Sequence, residues 1–236
     1  MFLLPYADKL LRLVIKGELY MKEIKRYAAM LVLIIATGIG AAFSIKAAVG
    51  VGAWDAMTQT LGFLTGIKVG TIGMAINISC VAGQLVILRK DFKFRHLLQV
   101  PVSILLGIVV NFVLYNVLGD ISFDSYLLRI AVLVSSYTLI AASVGAIMDL
   151  DAVTFALEGL CMAVAGKTGI KFSHIRQLVD VICIILVLIL VVTVKVPLTV
   201  REGTVIGMLM FGPMIGFFMK KSGPLFRRLN LSANCA

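Results

Sequence analysis

The sequence predicts an all-α membrane protein of six transmembrane helices. They form an inverted-topology 3+3 repeat, and each half carries a short broken, re-entrant helical segment. Three observations predict it. The chain has 236 residues, 61% of them hydrophobic, and a mean hydropathy of +1.06, whereas a soluble domain is about half apolar. That length holds about six spans of roughly 20 residues with short loops, and leaves none for a soluble catalytic domain. Finally, Thr65-Gly66-Ile67-Lys68 recurs verbatim as Thr168-Gly169-Ile170-Lys171, an offset of 103 at which Asp55 faces Glu158, Asn77 faces Asp180 and Cys80 faces Cys183. Paired broken segments in a membrane chain point to a site between two repeats.

The elements follow in order. Residues 1–26 mix apolar residues with Lys9, Arg12, Lys16, Lys22, Lys25 and Arg26, a pattern expected of an amphipathic segment lying on the cytoplasmic surface. The first repeat, 27–118, opens with a span over 27–45 whose Gly38-Ile39-Gly40-Ala41-Ala42 run offers a close-packing face. The stretch 50–66 is too short and too polar to cross, so it is read as a re-entrant half-helix, followed by a span over 69–88. Beyond the basic loop Arg89 to His96, a third span covers 97–118. The loop 119–125, with two acids and no cation, belongs outside. The second repeat, 126–219, holds spans over 126–148, 172–194 and 203–219, with its own broken segment at 152–166. A basic tail, 220–236, carries Lys220, Lys221, Arg227 and Arg228.

The net charge of +10 does not indicate nucleic acid, because the cations cluster at span ends, where the positive-inside rule and an anionic inner leaflet account for them. Both termini are thereby expected in the cytoplasm. Of the four cysteines, Cys80, Cys161, Cys183 and Cys235, three lie in apolar runs and none forms a CxxC, which suits small buried hydrophobes. No metal-spaced His/Cys cluster, GxSxG, Walker motif or HExxH is present. The chain is therefore expected not to be an enzyme, and neither a catalytic residue, a cofactor nor a metal is expected.

Candidate substrate-binding residues are the polar groups of the apolar runs: Trp54, Asp55, Asn77, Asn111, Glu158, Arg176 and Asp180. An ionised side chain at the bilayer centre costs about 2.5 to 3.5 kcal/mol on insertion scales, so it faces a cavity, a partner or the interface. Asp55 is either a cavity-facing acid or the solvated cap of a shallow half-helix. Trp54 is an aromatic wall or, more commonly, an interfacial anchor. Arg176 and Asp180 are four residues apart and share a helix face, as an intrahelical ion pair or as an anion-docking point with its release partner. Glu158 suits a cation or proton if it faces a cavity. Asn111 is more often interhelical glue than a ligand contact.

Val51-Gly52-Ala53-Trp54-Asp55, Thr65-Gly66 and Gly70 resemble the signature of the YczE/YyaS/YitT group of bacterial membrane proteins. Gly145, Leu150-Asp151-Ala152, Thr168-Gly169, Arg176, Gly203-Thr204-Val205-Ile206 and Gly212-Pro213 extend the likeness, as does Gln99-Val100-Pro101-Val102-Ser103 with Gly107. Three positions depart from it: Ala53 stands where proline is usual, Asn111 where aspartate is common, and Asp151-Ala152-Val153 replaces a glycine-proline pair. The resemblance implies a multi-span protein of the bacterial inner membrane and no particular substrate.

The function expected is a secondary-carrier-like transporter of a small solute, with a midplane site between the repeats and a proton as one candidate coupling ion through Asp55, Glu158 or Asp180. The alternatives are a substrate-capturing subunit of an ATPase-coupled importer and a non-transporting scaffold. The partners expected are the lipid bilayer, that unknown solute, and either a second copy of the chain or another membrane protein. Asp55 and Glu158 converging near mid-membrane around a polar cavity would favour the carrier. The two acids in opposite headgroup regions over a dry core would favour the scaffold.

Overall fold

A computed structural model describes residues 4–228. All regular secondary structure among the described residues is helical. Helix α1 spans Leu4–Ala47, α2 Ala53–Thr65, α3 Val69–Leu88, α4 Phe94–Leu97 and α5 Gln99–Phe112, the last continuing as a π turn over Val113–Val117. Helices α6 (Tyr126–Leu150), α7 (Ala156–Thr168), α8 (Phe172–Val194) and α9 (Glu202–Arg228) complete it. Six helices are long and apolar enough to cross a bilayer: Tyr20–Ala47, Val69–Asp91, Phe94–Val117, Tyr126–Leu150, Phe172–Val194 and Glu202–Pro224. Helices α2 and α7, with 13 residues each, are too short to cross.

At the ends, α1 continues without a break through the segment before residue 27, and α9 runs on into the basic tail as far as Arg228. Residues 1–3 and 229–236 of those segments, including Cys235, lie outside the described residues, as do the side chains before Tyr20 on which the amphipathic reading rests.

The repeated Thr-Gly-Ile-Lys has a structural role. In each copy the Thr hydroxyl donates to the carbonyl four residues back, Thr65 to Leu61 at 2.7 Å and Thr168 to Val164 at 2.9 Å. The Gly takes the left-handed conformation that ends a helix, with φ of 73° at both Gly66 and Gly169. Each Gly N–H closes the last turn at 2.9 Å, onto Gly62 and Ala165. Lys68 and Lys171 then occupy the N-cap positions of α3 and α8. The motif is thus a tight helix-reversing turn, and it sits at the same offset as the helices it joins.

Those two turns lie at opposite ends of the molecule. Lys167, beside the α7–α8 turn, pairs with Asp91 at 3.7 Å, just past the far end of α3. Helix α3 has 20 residues and so is about 30 Å long, which separates that turn from the α2–α3 turn at its start. Packing crosses between the halves. Helix α2 lies on α8 as well as on α3, and α7 lies mainly on α3. Helices α1 and α6 form the central pair, with α9 on α6 and α5 on both α1 and α3.

Small residues set the close contacts, as expected where lipid removes the hydrophobic drive between helices. A methyl group at Gly38 would meet Val109 of α5 at 2.8 Å, and one at Gly40 would meet Ile140 of α6 at 2.7 Å. Helices α3 and α5 approach more closely still. A Cβ at Gly70 would lie 2.3 Å from the carbonyl oxygen of Gly107.

Candidate functional site

Each short helix places one acid in its first turn. Asp55 and Glu158 stand ten residues ahead of the last residue of α2 and of α7, about 15 Å of helical rise from turns at opposite ends. Both acids therefore fall near the middle of the molecule. A carboxylate in the first turn of a helix is stabilised by the unpaired amides and the positive end of the dipole, so the sequence supports the local geometry it adopts.

Arg176 joins α7 to α8 there. One turn into α8, it pairs with Asp180 one turn further on, and its Nε lies 3.6 Å from Glu158 Oε1. Asp55 forms no ion pair within 4 Å among the described residues; its helix α2 packs on α8, which carries Arg176 and Asp180. One guanidinium thus serves two carboxylates, Glu158 and Asp180. The side chains of Arg176, Asp180 and Glu158 keep 25%, 24% and 27% of their exposure. Among the described residues, no three His, Cys, Asp or Glu side chains converge closely enough to hold a metal ion.

Trp54 is partly buried and packs against an apolar cluster drawn from α3 (Cys80, Val81), α7 (Ala156, Leu157, Cys161) and α8 (Ile175). Asn77 is half-buried on α3, one turn before Cys80, and is not part of the ion-pair group. Asn111 sits apart, with both ends of its amide engaged. Its Oδ1 accepts the Gly70 N–H at 2.9 Å and its Nδ2 donates to Thr71 Oγ1 at 2.9 Å. With Tyr115, whose hydroxyl accepts the Val69 N–H at 3.2 Å, it caps the start of α3 from the neighbouring helix.

Other polar residues matter here that the sequence did not single out as site residues. The extended segment leading into α7 is clasped at the end of the molecule that bears Lys167. Arg26 Nε donates to the Leu150 carbonyl at 2.7 Å, Arg95 Nε to that of Ala152 at 2.8 Å, and both guanidinium groups also donate to the Asp151 carbonyl. Arg95 also pairs with the Asp151 carboxylate at 2.8 Å. Deeper in, Gln84 Nε2 donates to Gln99 Oε1 at 2.7 Å and to the Ala156 carbonyl at 2.9 Å, and Gln99 Nε2 donates to Thr154 Oγ1 at 3.2 Å. The segment leading into α2 is held differently. Thr199 shares a hydrogen bond with Thr60 at 2.8 Å, and Gly203 N–H donates to Val49 at 2.8 Å. A glutamine inside the apolar run of span two was a visible signal; its partners, on α5 and α7, were not.

Fold and site together define a multi-pass helical membrane protein with six candidate spans and two short helices, each with an acid in its first turn beside the partly buried Arg176–Asp180 pair of α8. The chain belongs to the family of unknown function DUF6198, which matches residues 24–220. Neither a curated protein nor a solved structure matches it.

Proposed function

We propose that the protein is a secondary-carrier-like transporter of a small solute, binding it at the group formed by Asp55, Glu158, Arg176 and Asp180, with Trp54 as the adjoining wall. The observation that carries this reading is that α8, with its Arg176–Asp180 pair, packs on both non-crossing helices, each of which has an acid in its first turn, and that Arg176 reaches one of those acids, Glu158. Discontinuous helices whose N-termini meet near the midplane are the construction by which carriers expose one site to alternate faces. A scaffold has no use for four ionisable groups in that position, where each is costly.

On this reading the halves are inverted repeats. The equal lengths of α2 and α7, their shared offset of 103, the turns at opposite ends and the exchanged packing of each short helix all support it. The end bearing Arg26, Arg95 and Lys167 is cytoplasmic by its charge, and both termini lie there. The YczE/YyaS/YitT likeness is proposed as a kinship within the bacterial inner membrane, on the Trp54-Asp55 and Gly203-Thr204-Val205 motifs. Asp55, the one acid of the group without an ion-pair partner among the described residues, is the proposed proton carrier. Proton coupling needs a group that can gain and lose its proton without first breaking an ion pair.

A thermal-shift ligand screen on the purified chain tests the proposal. A solute that stabilises the wild type should lose that effect in both Asp55→Asn and Arg176→Ala. Stabilisation indifferent to both changes refutes the site.

A further inference from the structure

A cavity of about 710 Å³ opens at the end of the molecule opposite the Arg26–Asp151 clasp. Its volume falls in the range of small-molecule sites, roughly 300 to 1,000 Å³. The cavity is lined by three cations, Lys46, Lys68 and Arg129, and by no acid. Its floor is apolar, with Ile45, Val69 and Leu114 drawn from the buried core. Its walls are aromatic and come from α2, from the π turn after α5 and from the loop that follows.

Among the described residues, none of the three cations forms an ion pair. Lys46 Nζ donates to the carbonyl of Gly119 at 2.9 Å, and Arg129 Nε to that of Phe123 at 2.6 Å. Lys68 Nζ stands 5.5 Å from the centre of the Tyr115 ring. These partners orient a cation but carry no negative charge to cancel it. The nearest acids in sequence, Asp120 and Asp124, do not line the cavity, and Asp124 accepts the Ser122 hydroxyl at 3.3 Å. A concave, partly apolar wall bearing positive charge of one sign focuses the field on whatever enters.

We infer that this cavity binds an amphiphilic anion, a phosphate or carboxylate head on an apolar or aromatic body. The head sits among Lys46, Lys68 and Arg129, and the body lies on the apolar floor. This chemistry has two sources, the headgroup of an anionic lipid at that membrane surface and a soluble organic anion. The site is separate from the Arg176 group and does not depend on the carrier reading.

The test uses the full chain in a neutral detergent, with thermal unfolding read against four probes: dihexanoyl phosphatidylglycerol, dihexanoyl phosphatidylcholine, naphthyl phosphate and inorganic phosphate. Saturable stabilisation is expected from phosphatidylglycerol, from naphthyl phosphate or from both. The first alone identifies the lipid source and the second alone the soluble one. Phosphatidylcholine and inorganic phosphate are expected to act at least tenfold more weakly. The double change Lys46→Gln with Arg129→Gln should abolish the response. Should that protein fail to fold, Lys68→Gln serves instead, being exposed, and should weaken the apparent affinity about tenfold, the equivalent of one charge-assisted contact. Arg176→Ala should leave the response in place. Equal stabilisation by phosphatidylcholine, no response to either anionic amphiphile, an unchanged response in the Lys68 variant, or loss of the response in the Arg176 variant would each overturn the inference.

Discussion

Replacing Arg176 by methionine removes the one cation of the central group while keeping most of its bulk. Its Nε stands 3.6 Å from Glu158 Oε1, and at an effective dielectric of about 20 that pair attracts by about 4 to 5 kcal/mol before any solvation cost. Removing one partner of a buried pair leaves the other charge uncompensated and typically costs about 3 to 5 kcal/mol. The side chains here remain about a quarter exposed, which returns part of that through water and lowers the expected loss to about 2 to 3 kcal/mol. The second half of the cycle is the informative one. In the Arg176→Met background, Glu158→Gln removes a carboxylate that no longer has a partner, so it should recover about 1 to 2 kcal/mol, whereas in the wild type the same change should destabilise. Equilibrium unfolding in mixed micelles measures all four corners. Strict additivity, or an Arg176→Met chain within about 0.5 kcal/mol of wild type, would show that the charges do not act as a unit.

Further outcomes follow from the same geometry. Gly66→Ala and Gly169→Ala each force a side chain into the left-handed region, where nothing crowds the new methyl; each should cost about 1 to 2 kcal/mol in thermal unfolding, and a neutral result would mean that the turn is not held. Asn111→Leu removes the acceptor for the Gly70 amide and should destabilise by about 1 kcal/mol, the usual worth of a helix cap; it should leave ligand binding at Arg176 unchanged. Gly159→Ala would place a methyl 2.8 Å from the amide nitrogens of both Gln84 and Gln99, so it should cost about 1 to 3 kcal/mol by overpacking. The aligned position of the first half already carries a methyl, at Ala56. Ile67 and Ile170 sit exposed on the two turns. In a background without native cysteines, Ile67→Cys should react with an impermeant thiol reagent only from outside the cell and Ile170→Cys only from inside.

Local structure was legible where one residue dictates it. The limits of α3 and α8 could be read from the Thr-Gly-Ile-Lys turns, because a left-handed glycine and the lysine after it end one helix and begin the next. The small-residue run Gly38 to Ala42 was legible as a packing face for a related reason: only residues without bulk allow the approach seen to α5 and α6. The short helices were foreseen as non-crossing from length and polarity alone. The second broken segment, read over 152–166, begins with the non-helical stretch Ala152 to Phe155, and the arginines that hold its start come from α1 and α4, far away in sequence. Trp54 looked most like an interfacial anchor because tryptophan favours that layer. The cluster it packs against is drawn from α3, α7 and α8, and no pattern local to Trp54 announces it. Of the candidate site, the pair Arg176–Asp180 was visible as a four-residue spacing, and the match of Asp55 to Glu158 was visible through the repeat. Glu158 reaching the same arginine depends on how α7 leans from α8 onto α3, a tertiary matter.

The central claim is that Asp55 and Glu158 belong to one site that opens to alternate faces of the membrane. Accessibility of Asp55→Cys and Glu158→Cys, each in a chain without its native cysteines, tests it most directly. Each would be probed with an impermeant thiol reagent applied separately to sealed right-side-out and inside-out vesicles. The account predicts that each position reacts from both faces, and that a stabilising solute slows both reactions. Reaction of neither position, or of each from a single face only and without protection by solute, would contradict it.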